Sequence, residues 1–248
     1  MAIGGTGQVE SGLGGQIDLG EVAVPRNDDG SYAIDVSSVF RDGLQIFDQS
    51  YRTPIVYINT NGTLSFESEV SAYPTSDLTY DAPALAPFWG DVDARLDGEG
   101  YESGSIWADL DTNNGAFTVT WYHVGVYRRN AELTNVFQVQ LYDQGGGDFD
   151  FAFRYDQIEW ALGTADDDMG AITGIFDPSG NDLLIGSSNL FELSVLAGNS
   201  GEIGLWTYSV QNGEIRDFCS QTMPIYGSES AEGLGGSDGA DHILAFQG

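Results

Sequence analysis

Residues 135–155 read NVFQVQLYDQGGGDFDFAFRY, with apolar side chains at every second position on both sides of a three-glycine turn. Side chains alternate faces along a strand, so Phe137, Val139 and Leu141 share one face, and Phe149, Phe151, Phe153 and Tyr155 share the same face on the return. No helix could gather that set on one side. The opposite face carries Gln138, Gln140, Asp148, Asp150 and Arg154, and the expectation is that it sees water. The same grammar recurs along the chain. Ile55-Val56-Tyr57-Ile58-Asn59, then Asn61-Gly62, then Thr63-Leu64-Ser65-Phe66 is a hairpin signal, because Asn-Gly supplies the positive φ angles a tight turn needs. The stretch GSIWADLDTNNGAFTVTWYHVGVY predicts another hairpin. In total the pattern predicts roughly a dozen strands and no competing amphipathic helix. The expected fold is all-β, an antiparallel two-sheet sandwich. The domain is expected over residues 31–210, with a flexible Gly-rich lead-in at 1–30 and a polar Gly/Asp-rich linker and tail at 211–248.

Charge restricts the partners of such a sandwich. The 248 residues carry 38 acids against 8 bases, a net charge of −30, and every base is arginine. This surface repels phosphate backbones and anionic lipid, which argues against nucleic acid and membrane surfaces, and it suits divalent cations or a salty medium. No apolar run reaches membrane length, and the first residues, MAIGGTGQVESGLGG, lack a signal peptide's basic and apolar regions. Cys219 stands alone, so neither an internal disulfide nor a Cys-based zinc cluster is available. Nothing in the sequence fixes an oligomeric state.

The stretch LAPFWGDVDAR, residues 85–95, sets Asp91 and Asp93 one residue apart directly after Phe88 and Trp89. Within a strand the two carboxylates would share a face about 7 Å apart, at ~3.3 Å per residue. Three readings are open. The acids could cap backbone N–H groups at the sheet rim and pair with Arg95. They could hold Ca²⁺ together with Asp97, since calcium takes several carboxylate oxygens. Or they could form a glycosidase pair, one carboxyl protonated and one ionised.

Other candidates carry less. DLDTNNG (109–115) starts like a calcium loop, but its glycine falls one place late and no Glu closes it, so a hairpin turn is the simpler reading. ADDDMGA places Asp166, Asp167 and Asp168 in one loop, where solvent or a cation must relieve their repulsion. His123 lies on a strand among aromatics and His242 in the tail. No nucleophile elbow, zinc-protease motif or phosphate loop is present, and the absence of lysine excludes Schiff-base chemistry.

The fragments VYINTNGTLSF, LAPFWGDVDAR, GSIWAD, FTVTWYHVGVY, TNVFQVQLY, FDFAFRYDQIEW and GLWTY occur in the order and spacing of nidogen-like (NIDO) domains, which this chain resembles over residues 45–210. That resemblance implies an extracellular module of the kind found in nidogen, tectorin-type matrix proteins and bacterial secreted proteins. It also implies a non-enzymatic adhesion or matrix-interaction role, with an extracellular matrix or cell-surface protein or glycan as partner. A calcium-dependent carbohydrate-binding module and a glycoside-active enzyme are the alternatives. The end of the chain, GGSDGADHILAFQG, resembles the start of a bacterial RTX nonapeptide array, through Gly235, Gly236, Asp238, Gly239, Asp241 and Ile243. The setting this implies is type I secretion, with calcium bound by Asp238 and Asp241.

Overall fold

The computed structural model describes residues 5–98, 100–186 and 189–217, and the short parallel pair Ile225–Tyr226 with Ile243–Leu244. Asp238 and Asp241, the calcium ligands expected in the tail, lie outside the described residues. Sixteen strands precede that pair: β1 Val22–Ala23, β2 Ser31–Asp35, β3 Leu44–Ile46, β4 Gln49–Tyr51, β5 Ile55–Asn59, β6 Thr63–Ser65, β7 Ala84–Trp89, β8 Val92–Asp93, β9 Ser105–Asp111, β10 Ala116–Val126, β11 Asn130–Gly145, β12 Asp148–Gln157, β13 Ile172–Phe176, β14 Leu183–Leu184, β15 Leu205–Gln211 and β16 Glu214–Asp217. The larger sheet runs β1-β9-β10-β11-β12-β15-β16, with β8 added on β10; the smaller runs β14-β13-β7-β6-β5-β2. All pairings in both are antiparallel, and the fold is the expected all-β, sandwich-like arrangement.

The sheets share one core. From the larger sheet Phe137, Val139, Leu141, Phe149, Phe151, Phe153 and Tyr155 are buried, as the alternation requires, and from the smaller Val56, Ile58, Leu64, Leu85 and Phe88. Phe88 lies 5.4 Å from Phe137 between ring centres, and Tyr155 donates its hydroxyl to the carbonyl of Pro87 at 2.6 Å. Burying a phenol costs free energy unless it finds an acceptor, so this bond makes Tyr155 both a core residue and a tie between layers. All three hairpins read from sequence are present. In the first, Asn59 pairs Thr63 across Thr60-Asn61-Gly62, and Gly62 has φ +84° with room for no Cβ, since one would sit 1.8 Å from the carbonyl oxygen of Phe88. In the second, Asp111 accepts the backbone N–H groups of Asn113 and Asn114 at 2.9 and 3.0 Å, so its carboxylate is occupied in building the turn.

The polar face of β11–β12 departs from expectation. Gln138, Gln140 and Arg154 are 0%, 1% and 1% exposed, because the segment from Gly5 to Glu10 lies across them. Glu10 exchanges backbone and side-chain hydrogen bonds with Gln138, its carboxylate accepts Gln140 Nε2 at 2.9 Å, and it pairs with Arg154 at 2.8 Å. Gly7 lets this strap approach closely: its N–H donates to the carbonyl of Ile203 at 2.7 Å, and a Cβ there would stand 2.3 Å from Gly204 Cα. The segment read as a lead-in therefore takes the place of water over that face.

Candidate functional site

β7 is buried at every position, and the chain then leaves the smaller sheet and enters the larger one as β8. Gly90 and Asp91 make that crossing. Asp91 thus lies between strands rather than within one, and the even same-face spacing with Asp93 does not apply. Gly90 is squeezed: a Cβ would meet Ala171 at 3.1 Å and Trp160 at 3.2 Å. The crossing is held by Asn61 of the first hairpin. Its carbonyl accepts Gly90 N–H at 3.1 Å and its Oδ1 accepts Val92 N–H at 2.8 Å, while its Nδ2 donates to Ser71 O and Asp29 Oδ1.

The two acids of the stretch have opposite surroundings. Asp93 is fully buried and satisfied. It accepts Arg95 Nε at 2.8 Å, Arg95 Nη2 at 2.6 Å, Arg95 N at 3.0 Å and Arg129 N at 2.9 Å. Burial alone would raise this carboxyl, but the Arg95 and Arg129 hydrogen bonds outweigh it and hold Asp93 below the usual carboxylate range. Asp91 is 1% exposed, and neither of its carboxylate oxygens has a hydrogen-bond partner. Burial first, then the charge of Asp168, then those of Asp28, Asp29 and Asp93 push it up to about 7. Asp28 is also raised, to about 6, by burial and Asp93 against the pull of Arg95; its Oδ2 pairs with Arg95 at 2.6 Å and its Oδ1 is buried without a partner.

Asp168 reaches the same place from the loop before β13. Its Oδ2 accepts Gly163 N–H at 2.5 Å and its Oδ1 accepts Gly170 N–H at 2.6 Å. Asp91 Oδ2 lies 3.1 Å from the point where a Cβ on the same Gly163 would stand. Next to it Tyr73 donates to Asp167 at 2.8 Å. Asp97 does not join: it is exposed in a loop whose N–H groups at 97 and 98 are accepted by Glu102. The structure therefore brings Asp168 beside Asp91, with Asp28 and Asp29 near enough to raise it, while Arg95 engages both Asp93 and Asp28. Among the described residues, no three acidic, His or Cys side chains converge as a preformed metal cage. Sequence reading missed Asp28 and Asp29, because nothing local marks a two-acid step before a strand as the neighbour of a residue some sixty positions on.

A raised and a lowered carboxyl side by side is the electrostatic pattern of an acid–base pair. Here both are sealed from solvent, so no sugar reaches them as they stand. His123 is bonded through Nδ1 to Thr134 at 3.3 Å. Exposed aromatic surface is sparse: among the described residues Tyr101, at 72%, and Phe191, at 48%, are the exposed rings. No helix among the described residues is long and apolar enough to cross a membrane.

A sequence profile described as NIDO related matches residues 25–198. Alpha-tectorin of mouse (Mus musculus) and of human (Homo sapiens) are each 30% identical to the chain over 184 residues, and that of chicken (Gallus gallus) is 31% identical over 185. Each match covers 64% of this chain and 8% of the relative, so the chain corresponds to less than a tenth of those proteins. No solved structure gives a significant match.

Proposed function

Because the chain belongs to the NIDO-related family, we propose that it is a non-enzymatic module of the extracellular space that associates with a matrix or cell-surface protein or glycan. Family membership carries this reading, and the similarity to alpha-tectorin supports it. The burial of Asp91 and Asp93 supports the non-enzymatic part, since the one acid pair legible in sequence has no access to substrate. Its strongly acidic surface favours partners that are basic or bridged by cations. The reading extends to a bacterial secreted origin, with an RTX-like tail that takes calcium through Asp238 and Asp241 and type I export. Calcium titration of the whole chain against the Asp238→Asn/Asp241→Asn double variant tests that extension.

The association itself is tested by solid-phase binding to a panel of extracellular-matrix proteins and to a glycan array, each with calcium or EDTA. Saturable binding to a protein is the expected result. Binding confined to glycans and lost in EDTA would instead identify a calcium-dependent carbohydrate-binding module. Glycoside turnover that disappears in both Asp91→Asn and Asp93→Asn would overturn the reading in favour of an enzyme.

A further inference from the structure

The acid cluster at the crossing between the sheets is notable for one side chain. An ionised carboxylate moved out of water costs several kcal/mol unless something replaces its hydration. Buried acids accordingly sit against arginine, N–H groups or a metal. Asp93 follows that rule with four hydrogen bonds, while Asp91, two residues away and equally buried, has none on either oxygen. The charged groups that act on it are anionic, Asp168, Asp28, Asp29 and Asp93, with the Tyr73 phenol also close by. The nearby Arg95 is directed onto Asp93 and Asp28. Asp91 is also aimed. Its Oδ2 lies 3.1 Å from the point where a Gly163 Cβ would stand, and Asp168 Oδ2 lies 2.0 Å from that same point. Two carboxylate oxygens from distant segments thus converge over a residue with no side chain.

We propose that Asp91 and Asp168 are the protein ligands of a divalent cation site, best suited to Ca²⁺, beside Gly163, with Asp28 and Asp29 adding negative charge and with water, which reaches the site from the partly exposed Gly163–Asp168 loop rather than from the buried Asp91 side, completing the shell. Calcium fits because it accepts six to eight oxygens in flexible geometry and tolerates a partly hydrated site, whereas Mg²⁺ demands a near-ideal octahedron. Two carboxylates without a third make a weak site, with a Kd on the order of 0.1–1 mM, the range of extracellular modules. Bound there, the ion would tie the loop before β13 to the chain's crossing between sheets. This inference stands apart from the association reading, since it concerns an ion held by the fold whatever partner the surface meets.

Calorimetric titration of the whole chain with CaCl₂ at pH 7.5, in high NaCl to swamp general screening, tests it. The expected result is calcium binding that weakens by about tenfold or more in Asp91→Asn, in Asp168→Asn and in Gly163→Ala. Gly163→Ala keeps every acid but sets a methyl between the two carboxylates, so it separates a site from a mere concentration of charge. Asp97→Asn should bind as the unaltered chain does, and the Asp238→Asn/Asp241→Asn pair, whatever it takes from the tail, should keep the binding that Asp91→Asn weakens. Should Asp91→Asn prove unfolded, Asp168→Asn, altered at a half-exposed position, and Gly163→Ala still decide. Heats no different from those in NaCl alone would overturn the proposal. So would binding that persists in Asp168→Asn or Gly163→Ala, or that disappears only with Asp238 and Asp241.

Discussion

Glu10→Gln is expected to destabilise the protein although residue 10 lies in a glycine-rich segment outside every strand. Arg154 is 1% exposed in the middle of the larger sheet, and Glu10 is the carboxylate that faces it, at 2.8 Å. Arg154 Nε is held by Gln140 Oε1 at 2.6 Å and its Nη1 by the carbonyl of Thr6, while the second Glu10 oxygen accepts Gln140 Nε2. Glutamine in place of Glu10 keeps one acceptor but turns an NH₂ group toward a donor, either Arg154 or Gln140. Breaking a fully buried ion pair costs about 3–5 kcal/mol. The Glu10 side chain is 43% exposed, so water recovers part of that, and about 2 kcal/mol remains. For a chain of this size such a loss lowers Tm by about 4–8 °C. Urea unfolding followed by tryptophan fluorescence, at low salt and in 1 M NaCl, measures it; a buried pair loses little to screening, so the difference should persist in salt. In an Arg154→Met background the same change should cost much less, because the charge it answers is gone. A Glu10→Gln protein within about 0.5 kcal/mol of the unaltered one would refute the buried-pair account of the strap.

Asp93→Asn should cost about 3 kcal/mol at pH 7, since it uncouples a buried acceptor from Arg95 and Arg129. Because Asp93 is held below the usual range when folded, its contribution is present at neutral pH and lost as pH falls through that lowered value, so melts of variant and parent should converge in acid. Asp109 has the opposite sign: burial, then Asp111 and Glu21, raise it, so its ionisation opposes folding as pH rises. Asp109→Asn should therefore raise Tm at pH 7, with the gain vanishing below about pH 4, where the unfolded acid is itself protonated. Gly62→Ala should destabilise by about 2 kcal/mol or more, through its positive φ and the Phe88 carbonyl, as read by thermal melting.

The parts of the fold that were legible are those whose physics is local. Period-2 alternation in 137–155 placed Phe151 and Phe153 in the core, and the residues at 61–62 and 111–114 carry their own turn chemistry within a few positions. The Asp93–Arg95 pair was readable for the same reason, as two residues apart on one strand end. What was illegible is long-range. Gln138 looks water-facing until Glu10, 128 positions away, is brought over it. Asp91 looks like the partner of Asp93 until the chain's passage between sheets separates their surroundings and delivers Asp168 instead. A buried acid without a partner leaves no trace in spacing or composition, since its defining property is what the rest of the chain fails to supply.

The place of β15 has a practical consequence. The family match stops at residue 198, but Leu205–Gln211 pairs with β12 from Phe149 to Arg154, and Tyr208 stacks on Phe151 at 5.2 Å. A fragment cut to residues 25–198 would turn β12 into an edge, with a row of unpaired N–H and C=O groups along one of the most aromatic strands in the protein. It would also uncover Arg154 from the other side by losing Glu10. Long, flat, apolar edges recruit strands from other molecules. Recombinant work guided by the family boundary alone would therefore be expected to yield self-associating material, and residues 5–217 are the smaller unit that keeps that edge closed.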